Sequence, residues 1–244
     1  MKTLFSIIIS TLNAEESIDS TLKSIKQLNY TNFELIIIDC KSSDRTVEKA
    51  KSFSFDNYKV VSEIDNGIYD AWNKGILLSK GDWIIFLGSG DIIKPYALDE
   101  YTRIISQNIN MEYISAKAIL YNKHSDLKVI GRNWNWNDFS IRMRICHVGS
   151  AHSKKMFIEK GMFDEKYKIA GDYDFLLRFG KNLNAAYCDK VLFKMLDGGI
   201  SNSGTKVFLE NFQAQRSNGI HFIKALTNYF FCVGVYFSNK VLNR

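Results

Sequence analysis

Acidic side chains stand in this sequence wherever an apolar run ends. Asp39 closes LIIID, Asp65 follows YKVVSEI, Asp91 follows WIIFLGSG, and Glu15 and Glu16 follow FSIIISTLNA. Carboxylates gathered on one rim can accept hydrogen bonds from a base or a ribose. They can also hold a hard divalent cation such as Mg²⁺ or Mn²⁺, which takes oxygen ligands and neutralises a diphosphate. Asp44 or Ser43 would serve equally well as a cap for the helix that follows, but capping does not account for the strand-terminal Asp39 and Asp91. A second acidic pair, Asp172 and Asp174 in AGDYDFLLR, opens an apolar helical stripe. Each residue turns a helix by about 100°, so the two cannot face one pocket equally. Asp172 reads either as a general base or as a helix cap. His147 could bind phosphate or metal, or be a structural histidine. Trp134 and Trp136 are two apart; in a strand they would share a face. They read as a stacking platform for a sugar, or as a lid or core contact.

The elements that must position these residues follow from hydrophobic periodicity. Phe5–Ser10, Leu35–Asp39, Tyr58–Ser62 and Trp83–Leu87 are short β-branched or aromatic runs, the pattern of strands buried on both faces. Between them lie helical spacings: Ile18, Leu22 and Ile25; Val47–Phe53; and Gly67–Ser79, with Ile68, Ala71, Trp72, Gly75 and Ile76 on one stripe. This β-α alternation predicts a mostly parallel sheet covered by helices on both faces. In such a sheet ligands bind outside the carboxyl ends of the strands, which is where the acidic rim falls. Further on, Pro95 opens a helix through about Gln107, and Tyr113–Leu120 with Leu127–Ile130 predicts a hairpin. Asp172–Lys181 reads as a helix and Ala185–Leu196 as a strand.

Composition narrows the class. At 244 residues the chain holds one substantial α/β domain, and 46% apolar residues exclude disorder. The net charge of +6 favours an anionic partner without choosing among nucleotide, nucleic acid and membrane. Cys40, Cys146, Cys188 and Cys232 lie far apart, as reduced thiols of a cytoplasmic protein do. The opening apolar run reads as a strand rather than a signal peptide, and no stretch reaches the roughly 20 apolar residues of a membrane span. Neither a dinucleotide-binding nor a P-loop glycine motif follows a strand. No nucleic-acid-binding signature is present, so nucleic acid is not expected as a partner.

Taken in order, TLNAEESI, IIIDCKSSDRT, SEIDNGIYDAWNKGILLSKGDW, WIIFLGSGDIIKP, CHVGSAHSKKMF, GMFDEKYKIAGDYDFLLR and LDGGIS resemble the family 2 glycosyltransferases of GT-A fold. They are most similar to the bacterial subgroup that assembles colanic acid and O-antigen polysaccharides. The resemblance runs from about Phe5 to Ser203. It implies a Rossmann-like GT-A domain over 1–205, with a donor-binding half over about 1–94 and an acceptor and catalytic half over about 95–205. Residues 206–244 would be a helical extension. It further implies an inverting transfer of a sugar from a nucleotide-sugar, by default a UDP-sugar, to a hydroxyl of an undecaprenyl-diphosphate-linked glycan. Thr11, Asn13 and Glu15 would line the nucleotide pocket together with the rim residue Asp65, and Asp39 would hold the base or ribose. Asn73 and Lys74 would flank the donor, Lys74 near the diphosphate. Asp91 would carry the divalent cation, Mg²⁺ or Mn²⁺, with His147 as a candidate second ligand. Asp172 would be the base, and Gly198, Gly199, Ile200 and Ser201 a segment closing over the donor.

Two positions depart from the family pattern. Cys40 stands where many members carry a second aspartate, and Gly88-Ser89-Gly90-Asp91 stands where much of the family has three acidic residues. The rival reading is a glycosyltransferase-like subunit that has lost its donor site and binds a partner enzyme. The aromatic tail from Ile220 to Leu242, with basic flanks, reads as a membrane-interfacial segment on the cytoplasmic face or as a helix packed on the domain.

Overall fold

The computed structural model describes residues 3–199 and 205–242. Its first half builds as the periodicity predicts. Strands β1 (Phe5–Thr11), β2 (Phe33–Asp39), β3 (Tyr58–Ser62) and β4 (Trp83–Gly88) alternate with helices α1 (Ile18–Lys26), α2 (Thr46–Ser52) and α3 (Ile68–Leu78). β1 pairs in parallel with β2 and β4, and β2 with β3, so all four carboxyl ends open on one side. The parallel block then meets an antiparallel one. β5 (Ile92–Ile93), helix α4 (Ala97–Gln107), β6 (Tyr113–Tyr121), β7 (Asp126–Ile130), helix α5 (Trp136–Phe139), β8 (Ala151–Ser153), α6 (Lys154–Lys160), α7 (Gly171–Leu177) and β9 (Ala185–Leu196) follow. Among the described residues the sheet has nine strands in the order β3-β2-β1-β4-β8-β6-β9-β5, with β7 on β6. β8 runs antiparallel to β4 and β6, and β6 parallel to β9.

Strand pleating sends alternate side chains to opposite faces, and two cores result. Ile7, Ile9, Leu35, Ile37, Ile85 and Leu87 pack with Ile18 and Leu22 of α1 and Tyr101 of α4. Ile8, Ile36, Ile84 and Phe86 face the other way, toward Tyr69 and Trp72 of α3 and Phe175 of α7. Helices α8 (Lys206–Ser217) and α9 (Phe222–Leu242) cover the second core, contributing Ala214 and Ala225.

Three expectations are corrected. The helix expected over Asp172–Lys181 stops at Leu177 and resumes only as a 3₁₀ turn at Gly180–Asn182, because Gly180 takes a positive φ of 59°. Pro95 lies outside its helix: Tyr96 is the N-cap, and the Pro95 carbonyl accepts the Asn29 N–H at 2.9 Å. The Trp134–Trp136 segment is no strand. Asn135 accepts the Asp138 N–H and starts a short helix at Trp136, so the two rings lie 6.4 Å apart and tilted by 37° rather than sharing a face. No described helix is long and apolar enough to cross a membrane.

Candidate active site

The rim at the ends of β1–β4 is assembled by hydrogen bonds between its own acids and hydroxyls. Asp39 is fully buried. Oδ1 accepts from Thr11 Oγ1 at 3.0 Å and from Ser42 Oγ, and Oδ2 accepts from Ser42 N at 3.0 Å and Ser62 Oγ at 2.7 Å. A carboxylate has about four lone-pair sites, and these donors fill them. Asp39 therefore ties the ends of three strands together. Thr11, equally buried, spends its hydroxyl on this tie.

Asn13 bends away at a positive φ of 47°, and its Oδ1 accepts the Ser43 N–H at 2.9 Å. Glu15 Oε2 accepts the Arg45 N–H at 2.9 Å, and Asp44 Oδ1 accepts the Thr46 N–H at 3.0 Å; the N-cap position of α2 is Arg45, so neither Asp44 nor Ser43 occupies it. Asp65 forms a turn by accepting the Gly67 N–H at 2.9 Å. Asn73 is buried, its Nδ2 donating to the Phe163 carbonyl and Glu165 and its Oδ1 accepting the Phe163 N–H at 3.0 Å. It pins α3 to a segment 90 residues away. Lys74 lies between Glu63 at 3.2 Å and Asp70 at 3.5 Å and donates to the Ile64 carbonyl at 2.7 Å. Burial pulls its ammonium down, but the two carboxylates outweigh it and raise the pKa.

Asp91 is also turned inward. Oδ2 accepts the Gly88 N–H at 2.7 Å and Oδ1 the Leu196 N–H at 3.0 Å, which joins the β4 turn to the end of β9. Burial pushes its carboxyl up to about 7. The same turn resists a side chain at Gly90. Gly90 has a φ of +97°, and a Cβ there would stand 2.4 Å from Leu196 Cδ2. His147, the other expected ligand, is buried against Trp72 at 5.1 Å and Phe86 at 5.8 Å, and burial holds its imidazole down to about 3. Among the described residues no three His, Cys, Asp or Glu side chains gather as a metal site. The residues at this turn do not fit a divalent cation: both Asp91 oxygens accept backbone N–H groups and His147 stands among aromatic rings. Gly198 and Gly199 are exposed beyond β9, while Ile200 and Ser201 lie outside the described residues.

Across the rim stands a carboxylate of a different kind. Asp172 is at the first turn of α7 and is partly exposed. Its recorded partners both fall on Oδ1: the Tyr173 N–H at 2.8 Å and the Tyr69 hydroxyl at 3.2 Å. Oδ2 receives neither of these bonds. Burial of the carboxyl raises it to about 6, a value suited to taking a proton near neutrality. The neighbouring Asp174 is committed elsewhere, to Arg178 at 2.5 Å and the Asn218 amide at 2.8 Å.

The supports of Asp172 were not read from sequence. Tyr69 of α3 also donates to the Ile169 carbonyl at 2.7 Å, and only a glycine fits beneath it, since a Cβ at Gly171 would meet the Tyr69 ring at 2.8 Å. Glu210 of α8 accepts the N–H groups of Lys168, Ile169 and Ala170, which fixes the approach to α7. It is the sole acid after Asp197, and that isolation was the available signal. Tyr69 lay within the quoted GIYDAWNKG run without a role of its own. Trp134 and Trp136 pack at the edge of the second core, Trp134 against Phe139 at 4.5 Å.

The family described as Glycosyl transferase family 2 matches residues 6–165. A Mycobacterium bovis protein named PGL/p-HBAD biosynthesis glycosyltransferase is 28% identical over 91% of this chain and 89% of its own. The amylovoran biosynthesis glycosyltransferase AmsB of Erwinia amylovora is 38% identical over 72% of this chain and 64% of its own. Among solved structures, S. aureus TarS 1-349 in complex with UDP superposes with a TM-score of 0.74 at 17% identity, over 98% of this chain and 72% of that one. The mannosyltransferase PcManGT of Pyrobaculum calidifontis, in complex with GDP-Man and Mn²⁺, gives 0.65 at 14%, over 88% and 62%. At such identities the likeness shows the fold, which is GT-A.

Proposed function

This chain belongs to glycosyl transferase family 2, and from that premise we propose that it transfers a sugar from a nucleotide-sugar to a glycan hydroxyl with inversion, using Asp172 as the base. The observation that carries the reading is the state of Asp172: raised by burial, held by two hydrogen bonds that both fall on Oδ1, in a residue partly exposed at the start of α7. The acceptor oxygen attacks the anomeric carbon, the bond to the nucleotide diphosphate breaks, and the acceptor proton passes to Asp172 Oδ2. General-base assistance of this kind contributes about 10²–10⁴-fold. The donor lies on the rim formed by the ends of β1–β4, where Asn13, Glu15, Asp65 and Lys74 stand, with Gly199 beyond β9 at its edge. UDP is the nucleotide of choice, as in the TarS complex. No step is routed through a cation.

The relatives named for PGL/p-HBAD biosynthesis and for amylovoran biosynthesis support a role in bacterial surface polysaccharide synthesis, which we place on a lipid-linked acceptor with 1–205 as the catalytic unit. The tail fits a place at the inner membrane surface. α9 exposes Ile223, Phe230, Phe231 and Phe237, and the chain has no acid from Asn211 to its end. Sedimentation with anionic vesicles, lost on Phe230→Ser with Phe231→Ser, checks that placement.

Titration calorimetry of UDP, GDP and TDP, with Mn²⁺ and again with EDTA, tests the central claim. Tight binding of one nucleotide supports a working donor site. No binding by the folded protein would leave only the partner-binding reading. The EDTA arm is expected to change affinity by less than about threefold, because the β4 turn offers no outward carboxylate.

A further inference from the structure

A cavity of about 330 Å³ is lined among others by Arg132, Trp134, Asp138, Phe139, Arg144 and Ile145. Its floor touches the machinery of α7. The Phe139 carbonyl accepts from the Tyr173 hydroxyl at 2.9 Å, the two rings are 5.0 Å apart, and Tyr173 adjoins Asp172. Ile145 precedes Cys146, whose buried thiol is pushed up to about 12 by desolvation and by the charges of Asp91 and Asp172. The arginines engaged in ion pairs are Arg45, Arg103 and Arg178, which leaves the Arg132 and Arg144 guanidiniums without a carboxylate partner among the described residues. Arg144 is half-buried, where an unpaired charge is costly, and two guanidiniums outweigh the single Asp138 carboxylate. Trp134 adds an aromatic face of the sort that packs on a sugar ring.

We propose that this cavity is the acceptor subsite and selects an anionic sugar, pairing its phosphate ester or carboxylate with Arg132 and Arg144 while the ring packs on Trp134. Guanidinium forks match both anions bidentately, and Asp138 remains to accept a sugar hydroxyl. The assignment rests on the transferase reading for its name as an acceptor site, but its chemistry can be tested separately. Ligand-detected NMR titrations would use glucose 1-phosphate, glucuronic acid, glucose and inorganic phosphate against the full chain, with UDP affinity measured on the same samples. Glucose 1-phosphate or glucuronic acid should bind at least about tenfold more tightly than glucose, and whichever does so names the anion. Arg144→Gln should abolish that preference with UDP affinity unchanged. Should that variant fail to fold, Arg132→Gln, at an exposed position, carries the same test. Equal binding of glucose, a preference that survives both substitutions, or inorganic phosphate binding as well as the sugar phosphate would overturn the proposal. Loss of UDP binding alone would overturn the donor reading and leave the anionic-sugar site standing.

Discussion

Asp91 and Asp172 are both carboxyls raised by burial, one to about 7 and the other to about 6, yet they are built for opposite ends. Asp91 divides its two oxygens between the Gly88 and Leu196 N–H groups and holds a turn to the end of β9. Asp172 takes its two hydrogen bonds, from the Tyr173 N–H and the Tyr69 hydroxyl, on Oδ1. Burial and a shifted pKa are common to structural and catalytic acids. The way the bonds divide between the two oxygens separates Asp91 from Asp172. A like contrast divides the molecule: the donor rim consumes its polar groups in holding strand ends together, while the side around α7 leaves two guanidiniums without a carboxylate partner among the described residues.

The contrast breaks if the two acids respond alike. Asp172→Asn should lower kcat by about 10²–10⁴-fold while UDP affinity stays within about twofold. A comparable loss of kcat in a folded Asp91→Asn protein would undo the distinction. On the donor side the expected damage is to stability. Asp39→Ala strands the hydroxyls of Thr11, Ser42 and Ser62 and should cost about 3 kcal/mol in urea unfolding, whereas a base-contacting residue would lose nucleotide affinity and keep its stability.

Asp91 sharpens the comparison through pH. Its folded pKa of about 7 lies above the ordinary 3.8, so the native state holds a proton that the unfolded chain releases between those values. The stabilisation is fully present below about 3.8 and is lost as pH rises through about 7. The stability difference between wild type and Asp91→Asn should follow that window, and a pH-independent difference would show that Asp91 does not titrate there. The smallest effect concerns Tyr69. Its hydroxyl favours the charged form of Asp172, so Tyr69→Phe should move the acid limb of kcat/KM upward from near 6 by about half to one pH unit. A loss of rate with an unmoved limb would make Tyr69 a packing residue only.

Much of this architecture was legible because it is local. Apolar runs of five to seven residues set β1–β4, and helical spacing set α1 and α3, since side-chain periodicity depends only on residues a few positions apart. The ordered motifs likewise marked Asp172 and the rim. What escaped was partnership. Asn73 with Phe163, Asp91 with Leu196, and Glu210 with the Lys168–Ala170 backbone join positions about 40 to 105 residues apart.

Residue type and spacing alone thus determined the β-α order of β1–β4, the side of the sheet that carries chemistry, and the absence of a side-chain carboxylate at Gly88 and Gly90, while the ordered motifs, by resemblance, implied the GT-A architecture. Tertiary structure alone decided how the hydrogen bonds of each acid are spent. A carboxylate's hydrogen-bond partners come from whatever the fold brings within about 3 Å, and nothing in the local sequence around Asp39, Asp91 or Asp172 specifies those neighbours.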